Sequence, residues 1–215
     1  MRKQFVVIGL GRFGKSVATN LSALGCDVLA IDTNEQAVQA VANHVTHAVQ
    51  ADAREEETLK ALGIRNFDVA IVSIGNDIEA NILITVMLKD IGVKKIVAKA
   101  QNNLHGKVLE KVGADKIVYP EKDMGTRLAH NLVSANVMDY IELLPDISIM
   151  EIISPIAFHN KSLGELDLRA QYGISVLAIK KENTILVAPG AEAMIESKDI
   201  LIVICNNDIM SKLPQ

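Results

Sequence analysis

The chain has 215 residues, a formal net charge of −4 and 49% apolar residues. This length predicts one or two domains of about 150 residues each, and the absence of any basic segment argues against nucleic-acid binding. No apolar run approaches the roughly 20 residues that cross a bilayer, so we expect no direct insertion into a membrane.

The two cysteines, Cys26 and Cys205, lie far apart in apolar or strand-like contexts. They form neither a metal-ligand pair nor a redox pair in sequence, which fits small buried side chains in a reducing compartment. The N-terminal apolar stretch is too short for the core of a signal peptide. These observations together predict a cytoplasmic protein.

Short apolar runs alternate with amphipathic segments of helical length over the first 140 residues. Predicted strands cover 5–10, 27–31, 47–51, 68–74, 95–100 and 116–119, and predicted helices cover 12–24, 35–43, 55–62, 78–91 and 104–112. The second helix has Thr33 or Asn34 as its N-cap, and a long helix over 121–140 follows Pro120. This alternation predicts an α/β fold with a doubly wound, Rossmann-type parallel sheet.

The pattern changes after residue 140. We predict strands over 148–154, 174–180, 184–188 and 199–205, a short helix over 162–172 capped by Ser162, and a last helix over 207–213. These elements make a small α+β module, which is marginal for an independent core, so we expect dimerisation. The predicted domains are therefore a nucleotide-binding domain over 1–140 and an α+β domain over 141–215.

The first predicted strand ends in a glycine-rich turn. Gly9, Gly11 and Gly14 form a G-x-G-x-x-G motif that opens a helix, and Asp32 ends the next strand. In this context Gly9 permits the tight turn, Gly11 allows a diphosphate to approach the backbone, and Gly14 allows the helix to pack on the sheet. Asp32 would accept hydrogen bonds from a ribose diol, which favours NAD or ATP over NADP.

Other polar residues follow the predicted strands. Arg12 lies inside the glycine turn, where it is either a solvated arginine or a donor to phosphate oxygens beyond those of a dinucleotide. Asp52 follows the third strand. Glu121 begins the long helix, either as a carboxylate that complements the helix dipole or as a ligand of a divalent cation. The stretches Ile74-Gly75-Asn76 and Lys99-Ala100-Gln101 end the fourth and fifth strands.

A catalytic set of residues is missing from the sequence. None of the five histidines falls in a pattern that would polarise a carbonyl, and no hydrolase, metalloprotease or P-loop motif is present. The sequence therefore predicts a binding protein rather than an enzyme.

Several motifs together resemble one family, the cytosolic regulatory subunits of Ktr/Trk-type potassium uptake systems, which contain an RCK (KTN) N-terminal domain and an RCK C-terminal domain. The resemblance covers essentially the whole chain. Its marks are Val7-Ile8-Gly9-Leu10-Gly11-Arg12-Phe13-Gly14, Ala30-Ile31-Asp32, Ala51-Asp52-Ala53, Arg65-Asn66-Phe67-Asp68, Val97-Ala98-Lys99-Ala100, Gly113-Ala114-Asp115, Tyr119-Pro120-Glu121-Lys122-Asp123-Met124 and Leu168-Arg169-Ala170-Gln171-Tyr172-Gly173-Ile174.

This resemblance implies that ATP and ADP compete for the Rossmann site. Arg12 would reach the terminal phosphate across a dimer, and Glu121 would help to hold a divalent cation, Mg²⁺ or Ca²⁺, between two nucleotides. The nucleotide-binding residues implied are Gly9, Gly11, Arg12, Phe13, Gly14, Asp32, Thr33, Asn34, Asp52, Ala53, Ile74, Gly75, Asn76, Lys99, Ala100, Gln101, His105 and Glu121.

The resemblance also implies partners. Dimers would form a homo-octameric ring on an integral-membrane potassium channel or transporter subunit, which the ring would gate from the cytoplasmic face of the membrane. In some relatives the C-terminal module binds cyclic di-AMP and is thereby inactivated. The matching residues here are Leu163, Arg169, Ile174, Ser175, Val176 and Pro189, with Ser175 in place of the Asn of several relatives.

Two alternatives from other classes stay open. Asp32 and the glycine turn fit an NAD-dependent oxidoreductase equally well, although the catalytic residues for one are missing. They also fit an NAD(H)-binding redox sensor of the same fold.

Overall fold

The computed structural model describes residues 2–133, 137–144 and 146–207. The chain separates into two compact units, Met1–Glu121 and Lys122–Gln215. This division falls before the boundary that the sequence predicts at residue 140. Apart from Asn207, the helix predicted over 207–213 lies outside the described residues.

The first unit contains each strand and helix that the sequence predicts for residues 1–119, with boundaries shifted by at most two residues. The strands are β1 (Gln4–Ile8), β2 (Asp27–Asp32), β3 (His47–Gln50), β4 (Val69–Val72), β5 (Ile96–Lys99) and β6 (Lys116–Val118). The helices are α1 (Arg12–Ala23), α2 (Glu35–Ala42), α3 (Glu56–Ala61), α4 (Ile78–Ile91) and α5 (Asn103–Lys111).

These strands form one parallel sheet in the order β3-β2-β1-β4-β5-β6. The strand order reverses between β1 and β4, which in this fold class is where a ligand-binding crevice opens at the carboxyl ends of the strands. The sheet is buried on both faces: Val6 and Ile8 belong to one apolar cluster and Val7 to the other. The doubly wound parallel sheet predicted from the sequence is confirmed.

Helix α5 and the chain that follows β6 fit together closely. A Cβ atom built on Gly106 would overlap the hydroxyl of Tyr119. Glycine at this position therefore allows the tyrosine ring to lie against the helix backbone, as van der Waals packing requires.

The second unit is built mainly from antiparallel strands. It contains α6 (Pro120–Val133) from Lys122 onward, and then β7 (Val137–Leu144), β8 (Ile147–Ile153), β9 (Lys161–Ser162), α7 (Leu163–Leu166), α8 (Leu168–Tyr172), β10 (Ser175–Lys180), β11 (Ile185–Val187), β12 (Met194–Ile195) and β13 (Ile200–Asn206). Five strands form a sheet in the order β11-β10-β13-β8-β7, and β12 pairs with β9. One apolar cluster that includes Phe158 and Ile179 fills this unit, so the predicted α+β module is confirmed.

The long helix predicted over 121–140 is wrong at its C-terminal end. Helix α6 ends at Val133, and β7 begins at Val137 and pairs antiparallel with β8. Within β7, Tyr140 is 4% exposed and belongs to the core of the second unit. Strand pairing and burial of this ring decide the conformation, which local helical periodicity does not capture.

The single helix predicted over 162–172 is also wrong, because Asp167 divides it. Asp167 has φ of +38°, a conformation that aspartate tolerates better than most residues, and α7 and α8 lie on either side. The predicted cap is confirmed: Ser162 Oγ accepts from the Glu165 backbone N–H at 3.2 Å. The sequence analysis also missed the short strands β9 and β12.

Candidate functional site

The glycine-rich turn between β1 and α1 has the geometry that its motif predicts. Gly9 has φ of +91°, and a Cβ atom there would lie 3.0 Å from the Ile74 side chain. A Cβ atom on Gly14 would overlap the Gly9 carbonyl oxygen and the Ser73 hydroxyl. In contrast, nothing lies within 4 Å of a Cβ atom built on Gly11, so that backbone faces open space.

The carboxylate of Asp32 holds this turn in place. One of its oxygens accepts from the Leu10 N–H at 2.6 Å, and the other accepts from the Asn34 N–H at 2.8 Å. Asn34 in turn caps α2 by accepting from the Ala37 N–H, so Asn34 rather than Thr33 is the N-cap. The ends of β1 and β2 are therefore fixed relative to each other before any ligand binds.

Asn81 joins the ends of the next two strands. Its amide donates to the Ile74 carbonyl at 2.7 Å and to the Lys99 carbonyl at 3.0 Å. The side chain of Gln101 adds a hydrogen bond to the Gly75 carbonyl. The loops that follow β4 and β5 are thus tied at the carboxyl edge of the sheet.

A cavity of about 610 Å³ opens at this edge. Thirteen of the residues predicted for the site line it: Gly9, Gly11, Arg12, Phe13, Asp32, Thr33, Asp52, Ala53, Ile74, Gly75, Asn76, Lys99 and Glu121. Five predicted residues lie outside the lining: Gly14, Asn34, Ala100, Gln101 and His105. The sequence analysis missed Ile8, Ile31, Ala51, Arg54, Ser73, Asp77, Ala80 and Ile84.

Three charged side chains gather near the glycine turn. Lys99, whose side chain is 12% exposed, places its ammonium 2.6 Å from a carboxylate oxygen of Glu121 and 5.9 Å from the centre of the Phe13 ring. The hydrogen bond from Lys99, aided by the nearby charge of Arg12, lowers the pKa of Glu121. With Asp32, this part of the cavity thus holds two cations and two carboxylates.

A second charged pair, Asp52 and Arg54, lies after β3. The guanidinium Nε is 3.0 Å from Oδ1 of Asp52 and Nη2 is 2.6 Å from Oδ2, while the Arg54 backbone N–H also donates to Oδ1 at 2.9 Å. The hydrogen bonds from Arg54 lower the pKa of Asp52, and the pairing raises the pKa of Arg54. An arginine two residues after Asp52 is the sequence signal that could have identified this pair.

Matches to family models show which known proteins the chain is related to. Residues 5–120 match the TrkA-N domain and residues 148–213 match the TrkA-C domain. The chain belongs to the TrkA-N/TrkA-C family. It is 50% identical over 204 residues to Ktr system potassium uptake protein C of Bacillus subtilis, covering 95% of this chain and 92% of that protein. The resemblance to Ktr potassium uptake proteins is therefore confirmed.

Solved structures show the same fold. The crystal structure of the GsuK RCK domain has a TM-score of 0.69 at 15% identity, and the GsuK channel bound to NAD has a TM-score of 0.68 at 15% identity. This chain is covered to 98% in both, but it spans only 46% and 38% of those chains. At this identity the likeness establishes the RCK fold alone.

His105 is not among the residues that line the cavity. It is 4% exposed, and its Nδ1 accepts from the Gln101 N–H at 3.3 Å. Burial lowers the pKa of this imidazole, which favours the neutral form. In the TrkA-N domain of this chain, His105 supports the loop after β5 instead of lining the site.

Among the described residues of one chain, Glu121, the predicted ligand of a divalent cation, does not belong to a group of possible metal ligands. Glu121 is 66% exposed and paired with Lys99, and the part of the chain that the structure describes contains no group of three His, Cys, Asp or Glu side chains that could hold a metal. One carboxylate beside an ammonium does not by itself make a divalent-cation site. Further ligands from bound phosphates or from a second copy would be needed.

The residues predicted for a second ligand lie in the TrkA-C domain. Arg169 is exposed on α8, and Leu163, Ser175, Val176 and Pro189 are partly exposed. Ile174 is 1% exposed, so its side chain offers no surface to a ligand.

Across the described residues, no helix combines the length and apolar character that a membrane-spanning segment requires.

Proposed function

We propose that this chain is a nucleotide-binding regulatory subunit of a Ktr-type potassium uptake system, and that ATP and ADP compete for the cavity at the carboxyl ends of β1–β5. The pair of cations near the glycine turn, Arg12 and Lys99, carries this proposal. The N-terminus of α1 already offers backbone donors to a diphosphate, so two additional cations favour a longer phosphate chain.

The role of the chain is regulation rather than catalysis. Nucleotide exchange would change the arrangement of paired copies in a homo-octameric ring at the cytoplasmic face of the membrane. The ring would pass that change to an integral-membrane potassium channel or transporter. The effect on transport is limited by the difference in nucleotide affinity between the two states of the ring.

Titration calorimetry of nucleotide-stripped protein tests which nucleotide the cavity binds. We expect ATP and ADP to bind at least about tenfold more tightly than NAD and NADH, with and without Mg²⁺. The rival is an NAD(H)-binding redox sensor or oxidoreductase, which Asp32 suits equally well because both ligands carry a ribose diol. Tight NAD or NADH binding with negligible ATP binding would replace the proposal with this rival, and NADH consumption would identify the oxidoreductase.

A divalent cation, Mg²⁺ or Ca²⁺, belongs to the same proposal, with Glu121 as its protein ligand between two nucleotides. Bound phosphates would attract Lys99 and so release the carboxylate that it now holds. We expect Glu121→Gln to weaken the dependence of transport on divalent cations and to leave ATP binding in place. Asp123→Asn, an exposed carboxylate on the same helix, is the matched control. Unchanged cation dependence in Glu121→Gln would remove this part of the proposal.

The last part of the proposed function is inhibition of the subunit by cyclic di-AMP. Arg169 supports it, because an exposed guanidinium on α8 is available to a phosphate. Calorimetry with cyclic di-AMP on wild type and Arg169→Gln tests it, and binding that is equal in the two proteins would exclude this role for Arg169.

A further inference from the structure

The charges around the cavity differ between its two ends. The glycine-turn end carries the cations Arg12 and Lys99 with two carboxylates, Glu121 and Asp32, and both oxygens of Asp32 are already bonded to backbone N–H groups. In the loops after β3 and β4 carboxylates outnumber cations: Asp52 and Asp77 both line the cavity, and both interact with the charge of a single guanidinium, Arg54. An anionic phosphate chain is attracted to the first end and repelled by the second. Accordingly, the uncharged base of a nucleotide belongs at the β3 end.

The apolar part of the lining fits a base at that end. Ala53, Ala80 and Ile84 line the cavity and are at most 6% exposed, and Ala53 and Ile84 belong to the same core cluster. These side chains form an apolar part of the cavity wall. Among the described residues of the lining, Phe13 is the one aromatic side chain, and it lies beside Lys99 at the phosphate end.

Arg54 lines the same cavity and offers a second surface to a base. Its Nε and Nη2 edge is held by both oxygens of Asp52, which fixes the guanidinium plane. The pairing uses the edge of the group and leaves its flat faces uncovered, and the side chain is 52% exposed while it lines the cavity. A guanidinium that is fixed by its edge can stack by its face on an aromatic ring.

We propose that Arg54 contacts the base of the bound nucleotide by stacking its guanidinium on the ring, with Asp52 as the positioning residue that fixes its plane. This inference rests on the proposed function, because it assumes that a nucleotide occupies the cavity. It adds a contact that discriminates nucleotides from phosphate chains without a base.

Calorimetry with two ligands on three proteins tests the proposal. Wild type, Arg54→Lys and Arg54→Gln are each titrated with ATP and with inorganic tripolyphosphate, which has the phosphates but no base. We expect both substitutions to weaken ATP binding about threefold to fivefold, the range of an exposed cation–π contact, and to leave tripolyphosphate binding unchanged. Arg54→Lys keeps the positive charge and its attraction to a ring but has no plane to stack, so a loss of ATP affinity in this variant isolates the stacking contact.

Three other outcomes would contradict the stacking contact of Arg54. Full ATP affinity in Arg54→Lys with a loss in Arg54→Gln would show that only the charge matters. An equal loss for ATP and tripolyphosphate would make Arg54 a phosphate contact, and no change in either variant would make it only a partner of Asp52. Arg65→Lys and Arg65→Gln, at an exposed arginine outside the cavity, are the matched controls, and thermal unfolding checks that each variant folds.

Different results contradict the proposed function and the proposed stacking contact of Arg54. Absence of ATP binding in wild type contradicts the proposed function. If NAD binds instead, the same variants are titrated with NAD and with nicotinamide mononucleotide, which lacks adenine, and an equal loss for both ligands contradicts the stacking contact.

Discussion

The two units of this chain place their charged side chains differently. In the first unit, residues that follow separate parallel strands, such as Asp32, Asp52 and Lys99, meet at one cavity. In the second, Lys181 pairs with Glu196 at 2.8 Å and lies 3.7 Å from the buried Asp199, so these charges connect the ends of strands and turns to one another. Parallel strands gather their carboxyl ends at one edge, whereas antiparallel strands alternate theirs between two edges.

Exposed apolar surface is distributed the other way, with more of it on the second unit. The edge strand β11 exposes all three of its residues, with Ile185 at 59% and Val187 at 72% exposure. Exposed apolar groups of this kind are typical of protein interfaces. We therefore expect ATP and ADP to bind to the first unit independently of the core of the second, whose exposed apolar edge is suited to contact with another chain, and the predictions below test that division.

The largest expected effect is in the core of the second unit. Phe158 is 2% exposed and its ring centre lies 6.1 Å from that of Tyr172, so Phe158→Ala should lower the free energy of unfolding by about 3–5 kcal/mol. Denaturant titration measures this loss, with Ile156→Ala at a 78% exposed neighbour as control. ATP affinity should be unchanged while the protein is folded, and a parallel loss of affinity would contradict the division.

Gly14→Ala should act on folding and binding together. Its Cβ atom would meet the Gly9 carbonyl, a backbone atom that cannot move aside, and overpacking of this kind costs about 1–3 kcal/mol. Gly11→Ala is the control, since nothing surrounds that Cβ atom. We expect Gly11→Ala to keep the unfolding free energy and to weaken ATP binding. Unfolding and calorimetry on both variants check this, and equal stability of the two variants would contradict the packing argument.

The smallest effect is a pH dependence of the first unit. Because burial lowers the pKa of His105, the unfolded state binds the proton more readily, and stability falls as pH drops below about 6.5. The slope is at most about 1.4 kcal/mol per pH unit. His105→Asn keeps an acceptor for the Gln101 N–H and should remove this slope, whereas His44→Asn, on the surface, should keep it. Denaturant titrations between pH 5 and 8, about half a pH unit apart, measure the slope of the unfolding free energy against pH. An unchanged slope in His105→Asn would show that another group causes the pH dependence.

Sequence reasoning succeeded where local pattern and topology coincide. The parallel sheet, the glycine turn and Asp32 follow from alternation and spacing, because βαβ units bring strand ends to one edge. It failed at Tyr140, where antiparallel pairing with the next strand, β8, overrides helical periodicity, and at Asp167, where two short helices share one core. It also missed Arg54, since the bond to Asp52 depends on loop conformation that no periodic pattern encodes.

The fit between Gly106 and Tyr119 has an evolutionary consequence. Any side chain added to Gly106 would take the space of the tyrosine hydroxyl, so the two positions share one volume. Position 106 cannot then take a larger residue unless position 119 changes as well. In relatives that carry a larger residue at position 106, we expect a smaller or differently shaped one at position 119, and an alignment of the family would show the two columns changing together.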